Sequence, residues 1–126
     1  MADKILADTS ILIGLQKADS NIVVSFKKYH TNIQISRITA NELIYGSRNR
    51  KEKKTNMNFI GKMPVVEMNQ EISILSYKLI AKYGLNAKLG IADALIAATT
   101  ISNKTPLWTL NKRHFRNIKE IDLINL

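Results

Sequence analysis

The stretch Lys4-Ile5-Leu6-Ala7-Asp8-Thr9-Ser10, near the start of the chain, is the strongest indication of the fold. Residues 5–7 form a short apolar run, which is typical of a strand buried on both faces of a parallel sheet. The run stops at Asp8, and the pattern that follows, Ile11-Leu12-Ile13-Gly14-Leu15, favours a helix. We therefore predict Asp8 at a strand-to-helix junction, where it either caps the helix or serves a ligand site at the edge of the sheet.

The composition is that of an ordinary globular protein with an unusual charge. The chain has 126 residues, 45% of them apolar and 23% charged, which predicts a single domain over residues 1–126. Because cysteine is absent, disulfides and cysteine-based zinc sites are excluded. The sequence shows no membrane span and no signal peptide, so we expect a cytoplasmic protein. The net charge of +9 favours a polyanionic partner, most simply nucleic acid, or an acidic protein.

Strand-like and helix-like segments alternate along the chain. The predicted strands cover residues 5–7, 33–36, 64–68, 106–109 and 121–124. The predicted helices include residues 10–17, 22–29, 40–46 and 91–100, and a long helix from Asn69 to about Gly84, where glycine is the usual stop. This alternation predicts an α/β fold, in which helices cover both faces of a central, mostly parallel β-sheet.

Two local features leave alternatives open. Thr39 and Glu42 have the spacing of a capping box, which predicts that the helix over 40–46 begins there. The segment Ser47 to Lys54 is dense in positive charge. It is either a solvated loop or helix face, or a contact for phosphates or an acidic partner.

Three acids stand out because the chain has only ten. Asp8, Glu42 and Asp93 each lie near the start of a helix, and they converge if those helices begin at one edge of the sheet. Two like charges about 4 Å apart repel by roughly 4 kcal/mol at an effective dielectric of 20, so such a cluster must bind a cation or protonate. Mg²⁺ suits carboxylate ligands, and it can activate water for the cleavage of a phosphodiester.

Each acid also has a purely structural alternative. Asp8 is a candidate helix cap, and Glu42 is a candidate partner of Thr39 in the capping box. Asp93 stands in the apolar segment Ile91 to Ala98, where a charge without a partner is costly to bury. A cap at the helix start remains the alternative for Asp93.

Polar residues near these acids are expected to support the site. Thr9 and Ser10 directly follow Asp8, and Thr109 ends a predicted strand. Asn111 is either a neutral oxygen ligand or a helix cap.

Basic residues follow Asn111 closely. Lys112, Arg113 and Arg116 are candidates for holding RNA phosphates. His114 has no second histidine at metal-binding spacing, so we interpret it as a surface residue.

Four segments together resemble the motifs of PIN domains, and the chain is most similar to VapC-type toxins of toxin–antitoxin pairs. The segments are Leu6 to Ser10, Thr39 to Gly46, Ile91 to Ala98 and Leu107 to Phe115. The resemblance implies a PIN-like three-layer α/β/α sandwich and an endoribonuclease that depends on Mg²⁺ or Mn²⁺. It also implies a homodimer, and a VapB-type antitoxin that wraps the toxin in a hetero-oligomer and blocks its site.

The resemblance assigns roles to individual residues. Asp8, Glu42 and Asp93 match the metal-binding acids of the family, and Asn111 falls where many relatives carry a fourth acid. The competing hypotheses are a PIN-fold protein that binds RNA or the ribosome without cleaving it, and a phosphoacceptor receiver domain. A receiver domain needs paired acids after its first strand, whereas here Thr9 and Ser10 follow Asp8.

Overall fold

The first strand of the chain lies inside a four-stranded sheet. A computed structural model describes residues 3–126. Its strands are β1 (Ile5–Ala7), β2 (Ile33–Ser36), β3 (Val65–Val66) and β4 (Leu107–Trp108). Their order across the sheet is β3-β2-β1-β4, and every neighbouring pair is parallel. All four carboxyl ends therefore meet at one edge of the sheet, where ligands bind in open α/β folds.

Helices cover both faces of this sheet. They are α1 (Thr9–Gln16), α2 (Ser20–Tyr29), α3 (Arg37–Tyr45), α4 (Arg50–Gly61), α5 (Gln70–Ala87), α6 (Ile91–Asn103) and α7 (Lys112–Phe115). Ile5 and Ala7 of β1 pack in one apolar cluster with residues of α1 to α4. Leu6 packs in a second cluster with α5, α6 and α7. Because successive strand residues point to opposite faces, these two clusters confirm the predicted three-layer α/β/α arrangement.

Helix α3 starts earlier than predicted. Ser36 is its N-cap, and the Ser36 Oγ accepts a hydrogen bond from the Thr39 backbone N–H at 3.3 Å. The predicted capping box of Thr39 and Glu42 is therefore wrong, because the serine that ends β2 already takes the capping role. This leaves the Glu42 carboxylate available for other contacts.

Helix α5 runs past the predicted stop at Gly84. It ends at Ala87, and Lys88 adopts the left-handed conformation with φ 52° and ψ 42°. The chain turns there and places Leu89 in the core with 6% of its surface exposed. The burial of Leu89 accounts for the longer helix, and the glycine prediction was wrong.

One further segment differs from its prediction, and another settles an alternative that the sequence left open. The predicted strand over residues 121–124 is wrong: these residues contribute one parallel bridge, between Leu107 and Leu123. The charged residues from Arg50 to Lys54 lie on α4, so they occupy a helix rather than a loop. Within residues 3–126, the structure contains no helix with the length and hydropathy that a membrane crossing requires.

Candidate active site

The three predicted acids line one cavity at the carboxyl ends of the strands. We call it the acidic cavity; its volume is about 550 Å³, and its lining includes Asp8, Glu42, Asp93 and Asn111. Asp19 also lines it, so four of the ten acidic residues of a chain with net charge +9 surround one hollow. The convergence arises from topology, because parallel neighbours deliver their following loops and helices to the same edge.

Asp8 is fixed in place by hydrogen bonds to both of its carboxylate oxygens. It is the N-cap of α1, and its Oδ1 accepts from the Ser10 backbone N–H at 3.0 Å and from the Ser10 hydroxyl. Its Oδ2 accepts from the hydroxyl of Thr109. Asp8 therefore caps a helix, as one alternative predicts, and it also lines the cavity; its role as a ligand stays a prediction.

Burial dominates the electrostatics of Asp8, which is only 3% exposed. Desolvation raises the pKa of this carboxyl above its ordinary value, although the hydrogen bonds from Ser10, Thr109 and Ile11 act in the opposite direction. Because desolvation destabilises the ionised form of a buried carboxyl, a nearby cation stabilises that form.

Glu42 is held by a hydroxyl from the neighbouring motif. The Thr9 Oγ1 donates to Glu42 Oε1 at 2.6 Å and lies 3.4 Å from the Thr39 Oγ1. Since Thr9 follows β1 and Glu42 lies on α3, this contact joins two segments that are 33 residues apart in sequence. The Glu42 carboxylate thus faces the cavity as a positioned acceptor.

Asp93 lies in the first turn of α6 and has a partner that sequence reasoning missed. Gly90 is the N-cap of this helix, with no side-chain capping bond. The Asp93 Oδ2 lies 3.0 Å from the Nδ1 of His114. His114 is exposed, as the sequence predicts, and it also lines the acidic cavity. No local sequence pattern signals this pairing, because Asp93 and His114 lie on different helices.

The end of β4 is tied to the end of β1 through hydroxyl groups. The Thr109 Oγ1 accepts from the Asn111 backbone N–H at 2.9 Å, and the Ser10 Oγ accepts from the Leu110 N–H at 2.9 Å. Asn111 stands at the N-cap position of α7, but its side chain makes no capping hydrogen bond. Its amide oxygen therefore stays available at the rim of the cavity.

The basic residues of α7 are placed differently from Asn111 and His114. Those two residues line the acidic cavity, whereas Lys112, Arg113 and Arg116 are exposed outside its lining. The Lys112 Nζ donates instead to Asn125. Lys17, which drew no attention in the sequence, does line the cavity.

The donor set at the cavity is made of hard oxygen atoms. Three carboxylates and the Asn111 amide are the ligand types that Mg²⁺ takes. No three His, Asp or Glu side chains within residues 3–126 already form a compact group that could hold a metal alone.

Comparison with known proteins places the chain in a family. The model of the PIN domain family matches residues 5–121. Ribonuclease VapC1 of Methanocaldococcus jannaschii is 35% identical to the chain over 127 residues, which cover 95% of the chain and 85% of the relative. The chain is a PIN domain of the VapC family.

Other relatives agree with this assignment. Ribonuclease VapC of Rickettsia bellii is 28% identical to this PIN domain and aligns with 97% of it, and with 96% of the relative. The crystal structure of DNA-bound VapBC from Salmonella typhimurium contains a chain that superposes with a TM-score of 0.83 at 26% identity, with 97% of each chain covered. The likeness thus extends over nearly the whole length of the PIN domain.

Proposed function

We propose that this PIN domain is the toxin of a toxin–antitoxin pair and acts as a metal-dependent endoribonuclease. The observation that carries the proposal is the meeting of Asp8, Glu42 and Asp93 at one cavity in a member of the VapC family. The names of two relatives describe them as ribonucleases. The net charge of +9 suits a polyanionic substrate such as RNA.

The proposed ion is Mg²⁺, with Mn²⁺ as the alternative. Asp8 and Asp93 would hold it directly, and Asn111 would add a neutral oxygen. When bound, the ion lowers the pKa of a water molecule and stabilises charge on the phosphate during attack. The buried position of Asp8 favours this role, because a cation compensates the cost of keeping its carboxylate ionised.

The other polar residues of the cavity would position the reacting groups. Glu42, held by the Thr9 hydroxyl at 2.6 Å, would accept a hydrogen bond from the attacking water and orient it. Ser10 and Thr109 fix both oxygens of Asp8. The reaction is hydrolysis: water attacks the phosphorus in line, and the P–O bond to the leaving strand breaks.

We propose two protein partners. The first is a VapB-type antitoxin, because the most similar solved structures include VapBC complexes. The second is another copy of this PIN domain, on the basis of the family resemblance. Light scattering of the purified toxin, alone and with the antitoxin, measures both assemblies.

Cleavage of RNA by the purified protein tests the proposal. The toxin, freed of antitoxin, is incubated with structured RNA in Mg²⁺, then with a chelator, and then as the Asp93→Asn variant. We expect cleavage only by the wild type with the metal. Cleavage that persists in the chelator or in Asp93→Asn would show that this site is not responsible.

Growth arrest provides a second test inside cells. Expression of the wild-type toxin should stop growth, and expression of Asp8→Ala at the same level should not. Arrest by the Asp8→Ala protein would mean that the toxicity has another origin.

A further inference from the structure

A second hollow adjoins the acidic cavity and has the opposite charge. Its volume is about 740 Å³, and it lies between the second half of α1 and the first half of α4. Ile13 and Lys17 line both hollows, so the two are adjacent. We call the second one the basic groove, after the three cations in its lining: Lys17, Arg48 and Lys51.

The charge changes sign within a short distance. Glu52 is the one acid in the lining of the basic groove, whereas four acids line the acidic cavity. Screening at physiological ionic strength acts over about 8 Å, so each hollow keeps much of its own local potential. An anionic strand is repelled by the acidic cavity without a metal and attracted by the groove beside it.

The cations of the groove are available to a ligand. Lys17 and Lys51 have no ion-pair partner among residues 3–126. Glu52 contacts the Arg48 side chain only at Nε, at 3.2 Å, and its other oxygen accepts from the Arg48 backbone N–H; the Arg48 side chain is 85% exposed. The terminal guanidinium nitrogens of Arg48 therefore remain directed to solvent or to a ligand, in the planar geometry that suits phosphate.

A network of side-chain hydrogen bonds centred on Asn56 stabilises the shape of the groove. The Gln16 Nε2 donates to the Asn56 Oδ1. The Asn56 Nδ2 donates to the Ser47 Oγ at 2.8 Å and to the Leu43 carbonyl at 3.3 Å. Asn56 is only 2% exposed, so this network ties α1, the end of α3 and α4 together beneath the cations. Ligand sites that are formed in advance avoid the entropy cost of ordering.

We propose that the basic groove binds the RNA strand on one side of the phosphodiester that is cleaved at the acidic cavity. The proposal rests on the ribonuclease function proposed above. Lys17, at the boundary of the two hollows, would contact the phosphate nearest to the cleaved bond. Arg48 and Lys51 would contact phosphates farther along the strand. The metal-binding acids would then act on a strand that the basic groove already binds next to the cleaved bond.

Binding measured without cleavage tests the groove directly. The probe is a fluorescein-labelled single-stranded RNA of about 12 nucleotides, a length within the range of single-strand sites on small domains. Its anisotropy is followed in a chelator, over a series of salt concentrations. The groove variant is Lys17→Gln with Lys51→Gln. The matched control is Lys54→Gln with Lys78→Gln, which removes the same charge from exposed helix positions outside both hollows.

We expect the groove variant to bind RNA roughly tenfold more weakly than the control. The slope of log affinity against log salt should fall by about 1.4, because each lost phosphate contact on a single strand contributes about 0.7. Equal affinities and slopes for the two variants, at unchanged Tm, would overturn the proposal. So would unchanged RNA binding together with weaker antitoxin binding, since the groove would then be a protein site.

The ribonuclease function is tested separately, by measuring RNA cleavage by the wild-type protein in Mg²⁺. If the wild type binds RNA through the groove but does not cleave it, the proposed nuclease function is wrong and RNA binding by the groove is retained. A wild type that cuts RNA, with equal binding by both variants, would refute the groove alone.

Discussion

Asp8 and Asp93 line the same cavity but are held in opposite ways. Asp8 is 3% exposed and has hydrogen bonds on both carboxylate oxygens. The Asp93 side chain is 27% exposed, and its Oδ2 lies 3.0 Å from the Nδ1 of the half-exposed His114. One wall of the site is thus built into the core, and the other wall lies on the surface. The contrast separates the stability of the fold from the chemistry of the site. Changes around Asp8 should alter the stability of the protein, whereas changes around Asp93 should alter metal binding.

The largest effect should come from replacing either acid by its amide. We expect Asp8→Asn and Asp93→Asn each to lower the rate of RNA cleavage by roughly 10³-fold, because each loses a charged metal ligand. Single-turnover cleavage in Mg²⁺ measures the loss. The exposed Asp122→Asn serves as the control and should cleave like the wild type. Near-normal cleavage by either amide variant would remove that acid from the proposed ligand set.

The next largest effect should be on stability, and only at the buried wall. In Thr109→Val the Asp8 Oδ2 and the Asn111 N–H lose their partner, which costs about 1–3 kcal/mol of unfolding free energy. We expect the Tm to fall by several degrees. Thr99→Val is the matched control, since the Thr99 hydroxyl is equally buried but bonds only to a carbonyl of its own helix. An equal loss in both variants would show that the Asp8 contact has no special importance.

At the exposed wall, the effect should appear in metal binding rather than in stability. We expect His114→Ala to weaken Mg²⁺ binding by about tenfold, because the histidine orients the Asp93 carboxylate from 3.0 Å. Calorimetric titration with Mg²⁺ measures this, and the Tm in a chelator should stay within about a degree of the wild type. His30→Ala, which changes an exposed histidine outside the cavity, is the control. Unchanged metal affinity in His114→Ala would reduce the contact to a surface pair.

The smallest effect should be a pH-dependent gain in stability of Asp8→Asn. Burial raises the pKa of Asp8 in the folded protein, so the folded state binds this proton more tightly than the unfolded state does. The contribution of the Asp8 carboxyl to the free energy of unfolding is present at low pH and is lost as the pH rises through the pKa of the folded state. The Tm of Asp8→Asn should therefore exceed that of the wild type at neutral pH, by a few degrees at most.

A pH series in a chelator checks this sign. The difference in Tm between Asp8→Asn and the wild type should grow as the pH increases and then level off. Asp19→Asn, at an exposed helix cap, reports the ordinary effect of the same change. A difference that shrinks with rising pH would contradict the role of burial.

Asp8 and Asp93 could be singled out because each stands at a recognisable change of pattern, whereas the capping-box signal at Glu42 was wrong. Asp8 ends an apolar run and Asp93 interrupts an apolar helix, and both patterns are local in sequence. The parallel sheet followed from the alternation of strands and helices. The topology then brought the acids to one edge, as expected for parallel strands.

The errors arose where two local signals competed or where a contact was distant. Ser36 and Thr39 are both suitable caps, and the end of β2 decides in favour of Ser36. Gly84 is a common helix stop, but burial of Leu89 prolongs the helix to Ala87. The pairing of His114 with Asp93 joins two helices across a loop and a strand, and no local pattern encodes it.

The pairing of β1 with β4 also sets the time at which the toxin can become active. These strands meet across about 100 residues of chain, and Thr109 must arrive before Asp8 acquires its last hydrogen bond. Synthesis at roughly 5–20 residues per second separates the first motif from the fourth by several seconds. A nascent chain therefore carries Asp8 without its closing partner until translation is nearly complete, and the cell gains that interval before a working nuclease can exist.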